Sequence, residues 1–258
     1  MAYPEPFDLS GKVAVVTGAA GGLGAAFAAA MAQAGASVAL LDLDTEGLAA
    51  TVADVEKLGK PAIAERCDIA CESDVIDSIA NVLERFGQID ILINNAGISD
   101  PEPMPVHEFP TAHWNKVVSI NLTGQFFCAR EALKPMVAAG RGKIINVASM
   151  WGLAGPSSVA PLPAYAATKG AIVNLTRELA LQYAAMGICV NAICPGFFRT
   201  ALGPYEDPGF LKRITDFTPM GRIADVSEIK GTAIYLASAA SDFMTGATIV
   251  IDGGCLAK

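Results

Sequence analysis

The 258-residue chain is 52% hydrophobic and only 17% charged, which supports an extensive core and a single α/β domain over 1–258. Its net charge of −8, from 18 basic and 26 acidic residues, gives no electrostatic reason to expect nucleic acid or an anionic membrane as a partner. The start lacks signal-peptide features and no run of about 18 apolar residues follows, so we expect a cytoplasmic protein.

The cysteines show no metal-binding spacing. Six of them lie in apolar surroundings without a Cys-x-x-Cys pair: Cys67, Cys71, Cys128, Cys189, Cys194 and Cys255. The two histidines, His107 and His113, are far in sequence from the closest cysteine pair. We therefore expect free thiols and no metal.

Short apolar, β-branched runs alternate with longer segments of helical character. The runs lie at 13–16, 38–41, 62–64, 89–93, 143–147, 189–193 and 248–251. Near-continuous apolar runs are typical of strands buried on both faces, so we predict a seven-stranded parallel sheet covered by helices on both sides. The longest irregular stretches, at 99–110, 152–163 and 196–219, follow predicted strands, where an open sheet forms its ligand crevice.

The first predicted strand runs directly into a glycine-rich turn at 17–24, and an alanine-rich helix follows at 25–34. Glycine lets the backbone approach a pyrophosphate closely, and the N-terminus of a helix offers unpaired N–H groups. A glycine-rich turn alone could be an ordinary loop. Its position between a strand and a helix predicts nucleotide binding.

Asp42 ends the second predicted strand, about 20 residues after the glycine turn, where an acidic side chain accepts hydrogen bonds from an adenosine ribose. A 2′-phosphate at this place would be repelled by Asp42 and, we expect, by Asp44. Neither Leu43 nor Gly21 supplies a basic partner. The sequence therefore predicts NAD rather than NADP, although Asp42 could also be a solvated turn residue.

Tyr165 and Lys169 are four residues apart in a segment that we predict to be helical, so their side chains share one face. An adjacent ammonium stabilises a phenolate, and lowering a tyrosine pKa by about three units requires about 4 kcal/mol. The pair could therefore act as a base. The same spacing also occurs by chance on ordinary surface helices.

Further motifs follow one another in a fixed order over nearly the whole chain. They are Thr17, Gly18, Gly22 and Gly24; Asn94, Asn95, Ala96 and Gly97; Asn121; Ser149; Tyr165 with Lys169; and Pro195, Gly196 and Thr200. Together they resemble the short-chain dehydrogenase/reductase family. The resemblance implies a single Rossmann-like, doubly wound domain and hydride exchange between a nicotinamide and an alcohol or carbonyl.

The resemblance also implies roles for individual residues. Tyr165 takes the alcohol proton during oxidation, Ser149 hydrogen-bonds the same oxygen, and Lys169 holds the nicotinamide ribose. Asn121 supports a water-linked proton path to Lys169, although it could instead cap or kink a helix. The residues implied to bind the cofactor are Gly18, Gly22, Leu23, Gly24, Asp42, Asp68, Ile69, Asn95, Ala96, Gly97, Tyr165, Lys169, Pro195, Gly196 and Thr200. A homo-oligomer, commonly a tetramer, is also implied.

The segment between Ser149 and Tyr165 departs from the family pattern. The two residues are 16 positions apart, more than is usual in the family, and the excess falls in the proline-rich stretch 155–163. Ser157 and Ser158 are alternative catalytic serines, but Ser149 is favoured because it directly follows a predicted strand. We expect an intact active site with an altered wall.

The substrate region allows several hypotheses. Met150, Trp151, Phe197 and Phe198 could line a pocket or pack a lid at 196–219 shut. The last motifs of the chain are similar to those of bacterial sugar, polyol and gluconate dehydrogenases, which predicts a sugar, sugar acid or polyol substrate. Two alternatives are a 3-oxoacyl-type ketoreductase, which the acidic charge and Asp42 disfavour, and a non-catalytic NAD-binding sensor, which the complete catalytic set disfavours.

Overall fold

The computed structural model describes residues 4–258 and contains one sheet of seven parallel strands. The strands are β1 Val13–Thr17, β2 Ser37–Asp42, β3 Ala62–Arg66, β4 Ile91–Asn94, β5 Gly142–Val147, β6 Ile188–Pro195 and β7 Thr248–Ile251. They follow the order β3-β2-β1-β4-β5-β6-β7 across the sheet. The predicted parallel sheet is confirmed, and each predicted strand overlaps an observed one.

Helices cover both faces of this sheet. They are α1 Gly22–Ala34, α2 Thr45–Lys57, α3 Glu72–Phe86, α4 Thr111–Val118, α5 Gln125–Ala139, α6 Pro163–Tyr183, α7 Pro208–Phe217 and α8 Lys230–Ala237. On one face α1 and α8 build a core that includes Phe27, Met31 and Ile234. On the other face α3 and α5 contribute Val82 and Met136 to a second core. The predicted doubly wound architecture is therefore confirmed.

Burial of the strands on both faces explains why apolar runs in the sequence predicted them. Every residue of β1 and β4 is buried, because neighbouring strands flank both edges and helices cover both faces. Such strands must be apolar along their whole length. The edge strands β3 and β7 contain no fully buried residue, and β3 ends in the charged residues Glu65 and Arg66.

The strand order changes direction at β1, which lies between β2 and β4. In an open α/β sheet this switch point opens a crevice beyond the carboxyl ends of the strands. The buried Thr17 joins the two strand ends there, because its Oγ1 accepts hydrogen bonds from the N–H groups of Asn95 and Ala96, both at 3.0 Å. The Asn95 side chain donates back to the Thr17 carbonyl at 2.9 Å.

A π-helical segment, Ser119–Gly124, joins α4 to α5 and contains the buried Asn121. Segments of this kind often occur at functional sites. Gly124 is required by close packing, because a Cβ at this position would lie 2.8 Å from the Ile69 side chain. The sequence did not predict the π-helical geometry.

Two further observations concern membrane-spanning helices and the state of the cysteines. Within residues 4–258, no helix is both long enough and apolar enough to cross a bilayer. All six cysteines are free thiols, and burial raises the pKa of Cys67 and Cys194 to about 11. Assignment of the whole chain to one domain with a lid remains a prediction.

The hydrogen bonds of the Thr17 hydroxyl, which join the ends of β1 and β4, can be tested by substitution. Thr17→Val keeps the shape of the side chain but leaves the buried N–H of Ala96 without an acceptor. We expect the free energy of unfolding to fall by about 1–3 kcal/mol, measured by chemical denaturation. Thr17→Ser, which keeps the hydroxyl, should lose less. Equal losses in the two variants would contradict a role for the hydroxyl.

Candidate active site

A cleft lies beyond the carboxyl ends of β1, β4, β5 and β6. Every residue that the sequence predicted to bind a cofactor lines it, and so does Ser149. Asn121 is buried and does not line the cleft. Lining residues that the sequence did not single out are Leu41, Cys67, Ile120, Val147, Ala148, Ala201, Leu202 and Tyr205. The structure thus brings the predicted residues together, and their binding roles remain predictions.

The glycine turn forms one end of the cleft and leaves no room for side chains. A Cβ on Gly24 would lie 1.8 Å from the carbonyl oxygen of Gly18, so helix α1 packs directly on the turn. Gly18 and Gly22 have φ values of +65° and +55°, which favour glycine. The N-cap residue Gly21 provides no side-chain hydrogen bond, so the first N–H groups of α1 are available to an anion such as a pyrophosphate.

Asp42 is held in place at the tip of β2. Its Oδ2 accepts a hydrogen bond from the Ala20 N–H at 2.9 Å, and its Oδ1 accepts one from the Asp44 N–H at 3.1 Å. The Asp44 carboxylate instead caps helix α2 and does not line the cleft. Arg66 is the register partner of Asp42 on β3, but it is exposed and also absent from the cleft lining.

The part of the cleft next to Asp42 contains Asp68 and Ile69. The Asp68 carboxylate accepts the Ala70 N–H at 3.0 Å, which fixes its direction. Ile69 is buried against Gly124. The Asn95 amide is already engaged by the carbonyls of Thr17 and Gly18, so this side chain supports the glycine turn.

Helix α6 places Tyr165 and Lys169 at the other end of the cleft. The Lys169 ammonium is buried, donates to the Val147 carbonyl at 2.7 Å and lies 5.7 Å from the centre of the Tyr165 ring. Burial lowers the pKa of Lys169 to about 8. Burial also raises the pKa of Tyr165, although the Ser149 hydroxyl acts in the opposite direction. The protein alone therefore does not produce the lowered tyrosine pKa that the residue spacing suggested.

Ser149 follows β5 and is buried beside Tyr165. Its hydroxyl accepts the Trp151 N–H at 3.1 Å, which fixes the turn that leads away from the strand. Ser157 and Ser158 lie in a separate 3-10 turn, are exposed and do not line the cleft. The position of Ser149, rather than theirs, suits contact with a bound substrate.

Both ends of the Asn121 side chain are engaged. Its Oδ1 accepts the Ile98 N–H and its Nδ2 donates to the Ile98 carbonyl, each at 2.8 Å, and Nδ2 also lies 3.3 Å from the Thr168 hydroxyl. Asn121 therefore ties the π-helical segment to the chain after β4 and to α6. The water-linked proton path to Lys169 remains a prediction.

The residues after β6 close over the glycine turn. A Cβ on Gly22 would lie 3.4 Å from the Thr200 side chain, so Thr200 covers the start of α1. Gly196 allows close packing, since a Cβ there would lie 2.6 Å from the Asp252 backbone. Pro195, Gly196 and Thr200 all line the cleft, where the family resemblance implied contact with the cofactor.

No sequence pattern indicated the role of Asp100. This buried carboxylate accepts the Tyr165 N–H at 2.8 Å and the Ala164 N–H at 3.2 Å, so it caps the first turn of α6. Leu162, the N-cap residue of α6, has no side-chain atom that could accept these hydrogen bonds. Burial raises the pKa of Asp100, and the two N–H groups act to lower it. The cap is more than 60 positions away in sequence, so no local capping pattern could reveal it.

Comparison with known proteins gives consistent matches. A family model described as enoyl-(acyl carrier protein) reductase matches residues 18–255. The chain is 39% identical to cis-4-hydroxycyclohexanecarboxylate dehydrogenase of Sinomonas cyclohexanicum, with 94% of this chain and 96% of that protein covered. It is 36% identical to gluconate 5-dehydrogenase of Gluconobacter oxydans, with 98% of each chain covered.

Solved structures show the same similarity. A short-chain type dehydrogenase/reductase from Mycobacterium marinum superposes with a TM-score of 0.93 at 36% identity, covering 98% of this chain and 99% of that one. A gluconate 5-dehydrogenase from Burkholderia cenocepacia in complex with NADP and tartrate gives 0.92 at 36% identity, covering 98% of each chain. An NAD⁺-bound xylitol dehydrogenase gives 0.88 at 37% identity, covering 95% and 99%.

The Asp100 cap can be tested by substitution, and the Asp44 cap of α2 provides a matched control in the same chain. Asp100→Ala removes the acceptor of two N–H groups at the start of α6, and Asp44→Ala removes the corresponding cap of α2. Loss of such a cap lowers the free energy of unfolding by about 0.5–2 kcal/mol. Hydrogen exchange followed by mass spectrometry should accelerate at 163–167 only in the first variant. Unchanged exchange there would contradict the proposed cap.

Proposed function

The chain belongs to the short-chain dehydrogenase/reductase family, and we propose that it is an NAD-dependent oxidoreductase acting on a secondary alcohol or its ketone. The observation that carries the proposal is the position of Ser149 and Tyr165 at the opposite end of the cleft from the glycine turn. A nicotinamide cofactor that spans this cleft supplies the hydride chemistry, and the protein supplies alignment and proton transfer.

The proposed roles follow from the contacts of the catalytic side chains. Tyr165 accepts the alcohol proton, and Ser149 donates a hydrogen bond to the oxygen as it becomes a carbonyl. Lys169 remains largely protonated at neutral pH, with a pKa of about 8, and is fixed by Val147. Its charge and that of oxidised nicotinamide favour the Tyr165 phenolate against the effect of burial.

The preference for NAD rests on charge at the adenosine end of the cleft. The only charged residues that line this end in the described chain are Asp42 and Asp68. A 2′-phosphate would meet the Asp42 carboxylate without a cation in the lining, and burial of unpaired like charges is costly. Several relatives contain NADP, so the preference is a property to be tested for this chain.

The two alternative hypotheses find less support. A 3-oxoacyl-type ketoreductase needs a basic docking surface for its acyl carrier, whereas the chain has a net charge of −8. A non-catalytic NAD sensor would not need Ser149, Tyr165 and Lys169 at one end of the same cleft. Among the relatives named above, the printed names give the substrates gluconate, xylitol and cis-4-hydroxycyclohexanecarboxylate, of which the first two belong to the sugar acids and polyols that the sequence predicted.

Exposed apolar side chains support the proposed homotetramer. Phe126 and Val137 on α5 and Leu181 on α6 are each at least 40% exposed, and Phe243 is fully exposed before β7. Exposed apolar side chains on helices are suited to contact with another copy of the chain. A cytoplasmic location remains a prediction from the sequence.

Tyr165→Phe tests the proposed proton transfer. We expect it to lower kcat by about 100-fold or more, because it removes the general base. Tyr183→Phe removes a hydroxyl from the same helix outside the cleft and should have little effect. Both are compared with the unchanged protein in a panel of sugars, sugar acids, polyols and cyclic alcohols, with NADH formation measured from pH 6 to 10.

The pH dependence of the same assay gives a second readout. Phenolate is the active form and burial raises the pKa of Tyr165, so kcat/KM for oxidation should rise with pH. This rise should be absent from Tyr165→Phe. Equal activity of Tyr165→Phe and the unchanged protein would refute the role of Tyr165. No oxidation of any alcohol, and no ketone reduced in reverse, would refute the proposed function.

Asp42→Asn tests the cofactor preference. Removal of the carboxylate charge should shift the ratio of kcat/KM for NADP over NAD at least tenfold toward NADP, equivalent to about 1.4 kcal/mol. The control Asp44→Asn removes a neighbouring charge that does not line the cleft and should leave the ratio nearly unchanged. A preference of the unchanged protein for NADP would contradict the assignment.

A further inference from the structure

A second phenol lines the active-site cleft and takes no part in the proton transfer proposed above. Tyr205 belongs to the segment after β6 and is half-buried in the cleft that also contains Tyr165. Its backbone N–H donates to the Gly203 carbonyl at 2.8 Å, whereas its hydroxyl makes no hydrogen bond within residues 4–258. The hydroxyl is therefore available to a ligand in the cleft.

The other side chains of the lining that contain oxygen or nitrogen, apart from Tyr165, already have partners in the protein. Even the Thr200 hydroxyl, three residues after β6 and β7 meet, accepts the Leu202 N–H at 3.2 Å. The side chains engaged in this way are Asp42, Asp68, Asn95, Ser149, Lys169 and Thr200. Within the described chain, Tyr205 is thus the polar side chain of the lining with neither a partner nor an assigned role.

Packing holds the Tyr205 ring from two sides. The ring lies edge to face against Phe210, with the two ring centres 5.8 Å apart. On the other contact, a Cβ at Gly203 would lie 3.0 Å from the Tyr205 ring and 3.4 Å from its hydroxyl oxygen, so the ring packs on the Gly203 backbone. Apolar contacts therefore orient the phenol and leave its hydroxyl unengaged.

The Tyr205 phenol is suited to hydrogen bonding and not to proton abstraction. Burial and the nearby Tyr165 raise the pKa of Tyr205 to about 12, although Arg199 acts to lower it. The phenol therefore remains protonated from pH 6 to 10, where it can donate one hydrogen bond and accept another. A ligand that displaces water from this hydroxyl must replace the lost hydrogen bond, or binding is weakened.

We propose that Tyr205 determines specificity, with its hydroxyl hydrogen-bonded to a second oxygen of the substrate while Tyr165 acts on the reacting oxygen. This inference rests on the proposed function and adds a residue to it. The substrate is then a secondary alcohol with at least one further hydroxyl or carbonyl oxygen on its carbon skeleton. In the oxidation the reacting hydroxyl loses its proton to Tyr165 and its carbon loses hydride to NAD, which becomes NADH. The second oxygen is chemically unchanged.

Alcohols that differ in hydroxyl content test this contact in one NAD-linked assay. Cyclohexanol is compared with 1,2-, 1,3- and 1,4-cyclohexanediol, and 2-pentanol with xylitol. Tyr205→Phe removes the hydroxyl and keeps the ring that packs on Phe210. We expect it to lower kcat/KM for the best diol or polyol by about fivefold or more, equivalent to about 1 kcal/mol, and to leave the simple alcohols nearly unaffected. The control Tyr183→Phe, outside the cleft, should affect neither group.

Two further readouts separate a substrate contact from other roles. Because Tyr205 stays protonated, the loss in Tyr205→Phe should be the same at pH 6 and pH 10, unlike the loss in Tyr165→Phe. The KM for NAD should not change. An equal loss for simple alcohols and for diols or polyols, no loss for either, or a rise in the KM for NAD alone would overturn the inference and leave the oxidoreductase function intact. No oxidation of any alcohol by the unchanged protein, and no ketone reduced in reverse, would overturn the proposed function as well.

Discussion

The buried ammonium of Lys169 is the interaction on which the geometry of the catalytic end depends. It lies at the end of β5, donates to the Val147 carbonyl and fixes the face of α6 that carries Tyr165. A Cβ on Gly97 would lie 3.4 Å from the same ammonium, so the chain after β4 also packs around it. A buried cation without a carboxylate partner is unfavourable, which is why its pKa falls. Burial of a cation at this cost, in the lining of the cleft, is a reason to propose a function for Lys169 there.

Helix α6 is fixed at two further points by polar contacts from distant parts of the chain. Asp100 caps its first turn, and Asn121 reaches the Thr168 hydroxyl from the π-helical segment. Both anchors also hold the chain that follows β4, since Asn121 pairs with the backbone of Ile98. The phenol of Tyr165 is therefore positioned by the chain that follows β4, which also lines the cleft at Gly97 and Ile98. Displacement of this chain would move α6, and displacement of α6 would move this chain.

Whether a feature could be predicted from the sequence depends on whether the residues that form it are close together or far apart along the chain. The strands could be predicted because burial on both faces requires continuous apolar runs, and the glycine turn because only glycine fits where a Cβ would lie 1.8 Å from a carbonyl oxygen. The Asp100 cap and the π-helical segment could not, because each depends on tertiary packing. The pKa of Tyr165 could not be derived from spacing either, since burial opposes the effect of the neighbouring lysine.

The two ends of the cleft differ in what they require of the sequence. The end of the cleft next to the glycine turn presents backbone N–H groups, glycines and the fixed Asp42 carboxylate. A substrate bound beside Tyr165 would contact none of them. Beside the catalytic end, the rings of Trp151, Phe197 and Phe217 come from three separate segments and pack together with Tyr165. The Lys258 ammonium lies 4.1 Å from the centre of the Phe217 ring. Aromatic packing of this kind lowers the local dielectric constant and strengthens the electrostatic contacts of the half-buried Tyr165 phenol and the buried Lys169 ammonium. The side chains of this cluster contribute little to the sheet, so under the proposed function they could vary while Tyr165 and Lys169 keep their positions on α6.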